Sequence, residues 1–77
     1  MENKQPRLLS NVKAGETVRL VRINTGGGLK SRLTAMGLVR DVEITVVNNS
    51  HPGPFVISVK NSKMMLGRGI AHKILVS

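Results

Sequence analysis

Five short runs of β-branched and apolar residues, most of them ended by glycine or asparagine, constrain what this chain can form. None of its apolar stretches exceeds four residues, far fewer than the ~20 that a membrane-spanning helix needs. Short runs separated by turn residues are typical of small antiparallel sheets. The predicted strands are residues 17–24, 41–47, 55–60, 63–66 and 73–76.

Two of these strands carry informative patterns. In residues 41–47, Val42, Ile44 and Val46 alternate with polar residues, which predicts a strand with one buried face. In residues 17–24 the alternation changes parity after Leu20, which predicts a bulge or a tight bend there. A small barrel needs such bends. The sequence therefore favours a closed, strongly coiled antiparallel barrel that hides its edges.

One helix is predicted, over residues 29–36. Leu29, Leu33 and Met36 are spaced i, i+4 and i+7, so they fall on one stripe of a helix. Gly37 is suited to the left-handed residue just past the helix end, where Leu38 would contact Leu33 in a Schellman motif. We therefore interpret Gly37 as a structural turn residue.

Gly26, Gly27 and Gly28 precede this helix, and such a turn can present backbone N–H groups to a phosphate. The spacing does not support that function. The Walker pattern GxxxxGK[ST] is absent, because no glycine stands directly before Lys30, and the dinucleotide pattern GxGxxG is absent as well. We interpret the three glycines as a structural turn, with a flexing turn that adjusts the helix on a partner as the functional alternative.

Size and composition limit the function classes. A chain of 77 residues forms one small domain with a small core, predicted as residues 8–77 after a flexible segment 1–7. The absence of cysteine suits a reducing compartment, and the first residues lack the apolar region of a signal peptide, so we expect a cytoplasmic protein. The net charge of +8 favours an acidic protein, a nucleic acid or an anionic membrane as partner. The one aromatic residue, Phe55, argues against base stacking.

Catalytic and metal-binding residues are not evident. His51 and His72 are far apart in a chain with no cysteine and four acidic residues, which makes a poor Fe(II) or Zn site. Met64 and Met65 would point to opposite faces of a strand. The serines have no evident histidine base and acidic residue near them in the sequence. We therefore predict no catalytic residue, no metal site and no cofactor.

The order of motifs resembles the FeoA family, the small cytosolic ferrous iron transport proteins A of bacteria. The resemblance covers about residues 8–76, and its most specific part is the short basic helix ending in MGL followed by a strand, residues 32–47. The opening residues 9–16 and the final strand match more loosely. The family commonly shows an APLGDP-like loop where this chain has SHPGP at residues 50–54.

The resemblance implies a mainly β, SH3-like barrel, with five antiparallel strands and one short helix expected here. It also implies a non-enzymatic role beside FeoB, the membrane Fe(II) transporter that carries a cytosolic GTPase domain. The protein would then reach the membrane only through its partner. Lys30, Arg32 and Arg40 concentrate charge around the helix, and with Val39 as an apolar contact they form the predicted partner-binding face.

Two alternatives stay open. A basic nucleic-acid-binding barrel would also explain the +8 charge, although we expect no nucleic acid partner because aromatic residues are lacking. The chain is also similar to the SH3-like carboxyl-terminal domain of metal-dependent repressors, a reading that the lack of attached DNA-binding and metal-binding domains disfavours.

Overall fold

The computed structural model describes residues 5–50 and 52–77. Within them lie six strands, two α-helices and one 3₁₀ turn, Leu9–Asn11. None of the described helices is long and apolar enough to cross a membrane. The elements are β1 (Arg7–Leu8), β2 (Thr17–Ile23), α1 (Gly27–Ala35), β3 (Glu43–Asn49), β4 (Phe55–Val59), β5 (Ser62–Leu66), α2 (Arg68–Ala71) and β6 (Ile74–Val76).

The six described strands form one antiparallel sheet in the order β1-β6-β2-β3-β4-β5. This confirms the predicted mainly β class, with six strands in place of five. The additional strand, β1, consists of two residues that pair with Val76 and Leu75 of β6. Two residues are too few to show an alternating pattern, so pairing with β6 defines this strand. No pairing joins β1 to β5 among the described strands, so the sheet keeps two edges.

The start of the described chain is tied to the sheet. β1 begins at Arg7, the last residue of the segment predicted to be flexible, and the Arg7 guanidinium lies 2.7 Å from the Glu16 carboxylate. This hydrogen bond, together with the Lys13 backbone N–H, holds the pKa of the Glu16 carboxyl below its ordinary value. Residues 1–4 lie outside the described residues, so flexibility there stays a prediction.

β2 bends in the middle and takes part in both halves of the sheet. Its first residues pair with β3, whereas Leu20, Arg22 and Ile23 pair with β6. The register shifts between Leu20 and Arg22, which confirms the predicted bulge. Val18 and Leu20 are buried before the shift and Ile23 after it, so the extra residue changes which parity faces the core.

The core is entirely apolar among the described residues. Ile44 and Val46 of β3 are buried, and Val42, just before β3, packs against the core, which confirms the alternation predicted for residues 41–47. The largest fully buried side chain is Phe55, at 1% exposure. The other core residues are Leu9, Val12, Val18, Leu20, Ile23, Leu33, Leu38, Ile57, Val59, Leu66, Ala71, Ile74 and Val76.

α1 begins two residues before the predicted helix and ends at Ala35. Gly37 has φ +104° and its N–H donates to the Thr34 carbonyl at 3.0 Å, while the Leu38 N–H donates to the Leu33 carbonyl at 3.1 Å. These two bonds form the predicted Schellman motif, and both leucines are buried. Met36, the residue that caps the end of α1, is 47% exposed, so the core-facing stripe does not extend to it as predicted.

Replacing Gly37 with alanine is expected to lower stability by about 1–2 kcal/mol, because a left-handed conformation costs an L-residue about that much. The added Cβ would lie 3.9 Å from Val59 Cγ1, an ordinary contact, so the cost is conformational. Thermal unfolding should show a decrease in Tm of roughly 4–16 °C.

Gly28→Ala is the matched control. Gly28 lies within α1 without a positive φ, and its Cβ would meet open space. Alanine favours helices over glycine by about 1 kcal/mol, so this variant should be as stable as the parent or more so. Equal destabilisation by the two substitutions would contradict the conformational explanation.

The second helix, α2, has no counterpart among the predicted elements. The Ala71 N–H donates to the Gly67 carbonyl at 3.0 Å and the His72 N–H to the Arg68 carbonyl at 2.9 Å. Ala71 is fully buried. A single turn containing glycine shows no periodic pattern, so burial of Ala71, and not local preference, stabilises this helix.

Candidate functional site

The predicted partner-binding residues lie on α1 and in the loop that follows it. Lys30, Val39 and Arg40 line one groove of about 660 Å³, whereas Arg32 is on α1 but does not line it. Val39 is 39% exposed, as the prediction of an accessible apolar contact requires. The fold therefore brings together three of the four residues in one concave surface.

The groove lies between the helix side of the molecule and the sheet. Its apolar surface comes from β2, β6 and the segment after α1. The Schellman turn buries Leu38, and β2 pairs with β6. Residues of these three segments therefore line the same groove. Its apolar lining includes Val21, Leu38, Val39 and Leu75.

The charge lining the groove is entirely positive. Arg22 joins Lys30 and Arg40 there, and no acidic residue lines it among the described residues. Two described carboxylates are engaged elsewhere, Glu16 with Arg7 and Glu43 with Arg19. The three cations come from β2, α1 and the loop before β3, so their fields add over one cavity.

Arg22, Val21 and Leu75 were not predicted as site residues. The change of parity after Leu20 was the signal available in the sequence, since a bulge redirects neighbouring side chains. This change of parity predicts the bend but does not show which surface the redirected side chains line. Without the position of β6, nothing in the sequence places Leu75 beside Val21.

The glycines at the start of α1 differ in their conformations. Gly26 is extended at the position before the helix, whereas Gly27 has φ +32°. A Cβ at Gly26, Gly27 or Gly28 would meet open space. Of these three glycines, only Gly27 therefore has a positive φ that favours glycine over other residues.

His72 belongs to no metal-binding cluster among the described residues. His72 Nδ1 lies 3.3 Å from the Ser10 hydroxyl, and His51 lies outside the described residues. The part of the chain that the structure describes contains no group of three or more histidine, cysteine or acidic residues that could hold a metal ion. Met64 packs against the core and Met65 is 68% exposed, which confirms that they face opposite sides of β5.

Comparison with known proteins shows the family and the fold of this chain. The family model described as the FeoA domain matches residues 7–77. The chain belongs to the FeoA family. A Methanocaldococcus jannaschii protein with the provisional name Fe(2+) transport protein A is 40% identical over 68 residues, which cover 88% of this chain and 82% of that protein.

Solved FeoA structures have the same SH3-like fold. One, described as the iron uptake regulatory protein FeoA, superimposes with a TM-score of 0.85 and 29% identity, covering 94% of this chain and 96% of that one. Iron(II) transport protein A from Clostridium thermocellum gives a TM-score of 0.84 and 29% identity. The match covers 92% of this chain and 44% of the Clostridium chain. A manganese-dependent transcriptional repressor, at 21% identity and a TM-score of 0.82, shares the fold alone.

Proposed function

We propose that this FeoA-family protein is a non-enzymatic accessory protein of ferrous iron uptake that acts in the cytoplasm and binds the cytosolic part of a FeoB-like transporter. Family membership supports the link to iron transport. The observation that carries the binding role is the cationic face around α1, where Lys30 and Arg40 line a groove and Arg32 lies nearby on the helix. An acidic surface on the transporter would meet this face, and the charges would mainly speed association.

A nucleic-acid-binding role has less support. Phe55, the one aromatic residue of the sequence, is 1% exposed, so it cannot stack on a base. Binding through phosphates alone remains measurable, since affinity would fall linearly with salt on logarithmic axes. A filter-binding titration with single-stranded RNA and duplex DNA measures that slope.

The test is capture of FeoB by the purified protein. We expect immobilised protein to retain full-length FeoB in detergent or its cytosolic domain at low salt, and the K30E/R32E/R40E variant to retain at least about fivefold less, because charge reversal replaces attraction with repulsion. Circular dichroism should show an unchanged fold, since all three side chains are exposed.

A matched control separates a local effect from the change in net charge. The K60E/K63E/K73E variant changes net charge by the same amount at exposed positions that do not line the groove. It should retain FeoB nearly as well as the parent protein. Absence of FeoB binding by the parent in both formats would overturn the proposed function.

A further inference from the structure

The groove beside α1 has a defined chemistry that goes beyond a basic face. Resting on the proposed function, we propose that this groove binds an extended acidic segment of the partner, with an apolar side chain of that segment seated on Val21, Val39 and Leu75. Arg22, Lys30 and Arg40 would then contact carboxylates on either side of the seated residue.

The size and shape of the cavity support a segment of a few residues. Its volume of about 660 Å³ falls within the ~300–1,000 Å³ of sites that hold small ligands. The cavity is bounded by α1 on one side and by β2 and β6 on the other. A concave surface of this kind accepts an inserted side chain, whereas a flat lipid surface would contact only its rim.

The charges specify the sign of the partner. Arg22, Lys30 and Arg40 belong to three different elements and converge on the same cavity. Neither of the two ion pairs found among the described residues involves them. Binding of a segment with Asp or Glu residues would therefore supply counter-charges without breaking a described salt bridge.

The apolar surface of the groove specifies a second property of the partner, an apolar side chain. Val21 and Leu75 are half-buried and Val39 is exposed, so apolar area stays in contact with water until a ligand covers it. Binding energy usually comes from such desolvated apolar anchors at the centre of an interface, while rim charges mainly raise the association rate. An acidic segment without an apolar residue would thus bind weakly.

The bulge in β2 is what builds this surface. It lies between Leu20 and Arg22, and it leaves Val21 lining the groove next to Arg22. Bulges commonly redirect side chains near functional sites. The same irregularity that bends the sheet therefore places an apolar contact and a cation side by side.

The experiment uses short fluorescein-labelled peptides and the full chain, with fluorescence anisotropy as the readout. The first peptide carries one leucine flanked by glutamates; a second replaces the leucine with serine; a third replaces the glutamates with glutamines. We expect the first peptide to bind more than about tenfold more tightly than either of the others, because each lacks one of the two complementary features.

Variants of the groove then locate the binding site. R22E and the conservative β-compatible substitutions V21T and L75T should each weaken binding of the first peptide at least about fivefold. The control substitutions K63E and M65T lie on β5, away from the groove, and should leave binding unchanged. Circular dichroism and thermal unfolding verify that each variant is folded.

The outcomes separate this proposal from the function it rests on. FeoB capture that is lost in R22E and L75T, together with binding of the acidic leucine peptide, supports both. Capture that is unaffected by R22E, V21T and L75T overturns the groove while leaving the proposed function intact. Equal binding of all three peptides, or binding of vesicles of phosphatidylserine and phosphatidylcholine in preference to the first peptide, overturns the peptide groove directly.

Discussion

Replacing Phe55 with alanine is expected to lower the free energy of unfolding, and with it the urea midpoint, more than the other single substitutions considered. Phe55 is the largest fully buried side chain, and its truncation in a core typically costs about 3–5 kcal/mol, from lost burial and the cavity left behind. Domains have stabilities of roughly 0.05–0.15 kcal/mol per residue, on the order of 4–12 kcal/mol for a chain of this length. The substitution would remove a large part of that stability.

Urea denaturation followed by circular dichroism measures the effect. The midpoint should fall strongly while the slope with denaturant stays constant, since the native and unfolded states keep their exposed areas. M65A is the control, because Met65 is 68% exposed and surface substitutions stay within about 0.5 kcal/mol. A change below about 1 kcal/mol for Phe55→Ala would contradict a tightly packed core around this ring.

Replacing Asn49 with alanine is the second large effect that we expect, about 2–4 kcal/mol of destabilisation. The Asn49 side-chain amide donates to the Val12 carbonyl at 2.8 Å and to the Ser10 carbonyl at 3.2 Å. Its oxygen accepts from Arg68 Nη1 at 2.6 Å. One side chain of β3 thus contacts both the 3₁₀ turn and α2, and its loss removes a hydrogen-bond partner from the Ser10 and Val12 carbonyls and from the Arg68 guanidinium.

Arg68 shares this junction, so a double-mutant cycle tests it more sharply than a single variant. Its guanidinium also donates to the carbonyls of Ser50 and Gly53 and lies 5.8 Å from the centroid of the Phe55 ring. We expect N49A and R68A to be non-additive by at least about 0.5 kcal/mol. Additive effects would show that the Asn49–Arg68 hydrogen bond contributes little to stability. The control is N24A, because Asn24 is an exposed asparagine whose side chain makes no such contacts among the described residues.

Local patterns were sufficient to predict most of the fold. Alternation located β3, and its change of parity located the bulge in β2. The glycine at position 37 located the end of α1, because few other residues adopt its conformation. The Lys60–Asn61 turn, with φ of 51° and 68°, joins β4 to β5 and has the positive values of a type I′ hairpin.

The elements that sequence reasoning missed depend on distant contacts. β1 exists because Arg7 and Leu8 pair with the far end of the chain, and α2 is stabilised by burial of Ala71. Neither contains enough residues for a periodic pattern. The predicted helix stripe extends too far, to Met36, because periodicity alone does not show where the chain turns away from the core.

The same reasoning could predict only part of the candidate site. Lys30, Val39 and Arg40 are near one another in sequence, so a cluster of charge around one helix revealed them. Arg22 and Leu75 reach the groove through the pairing of β2 with β6. Which strand lies beside the helix is a property of the tertiary fold, and the sequence pattern of neither strand contains it.

The pairing of β1 with β6 has a mechanical consequence. Arg7 lies opposite Val76, so a force that pulls these two residues apart acts along the hydrogen bonds between the strands and not along the strands themselves. Such a load opens the ladder one bond at a time. If both strands were attached to larger molecules that pull on them, the pairing of β1 with β6 would therefore separate first and at low force. The other four strands would stay paired.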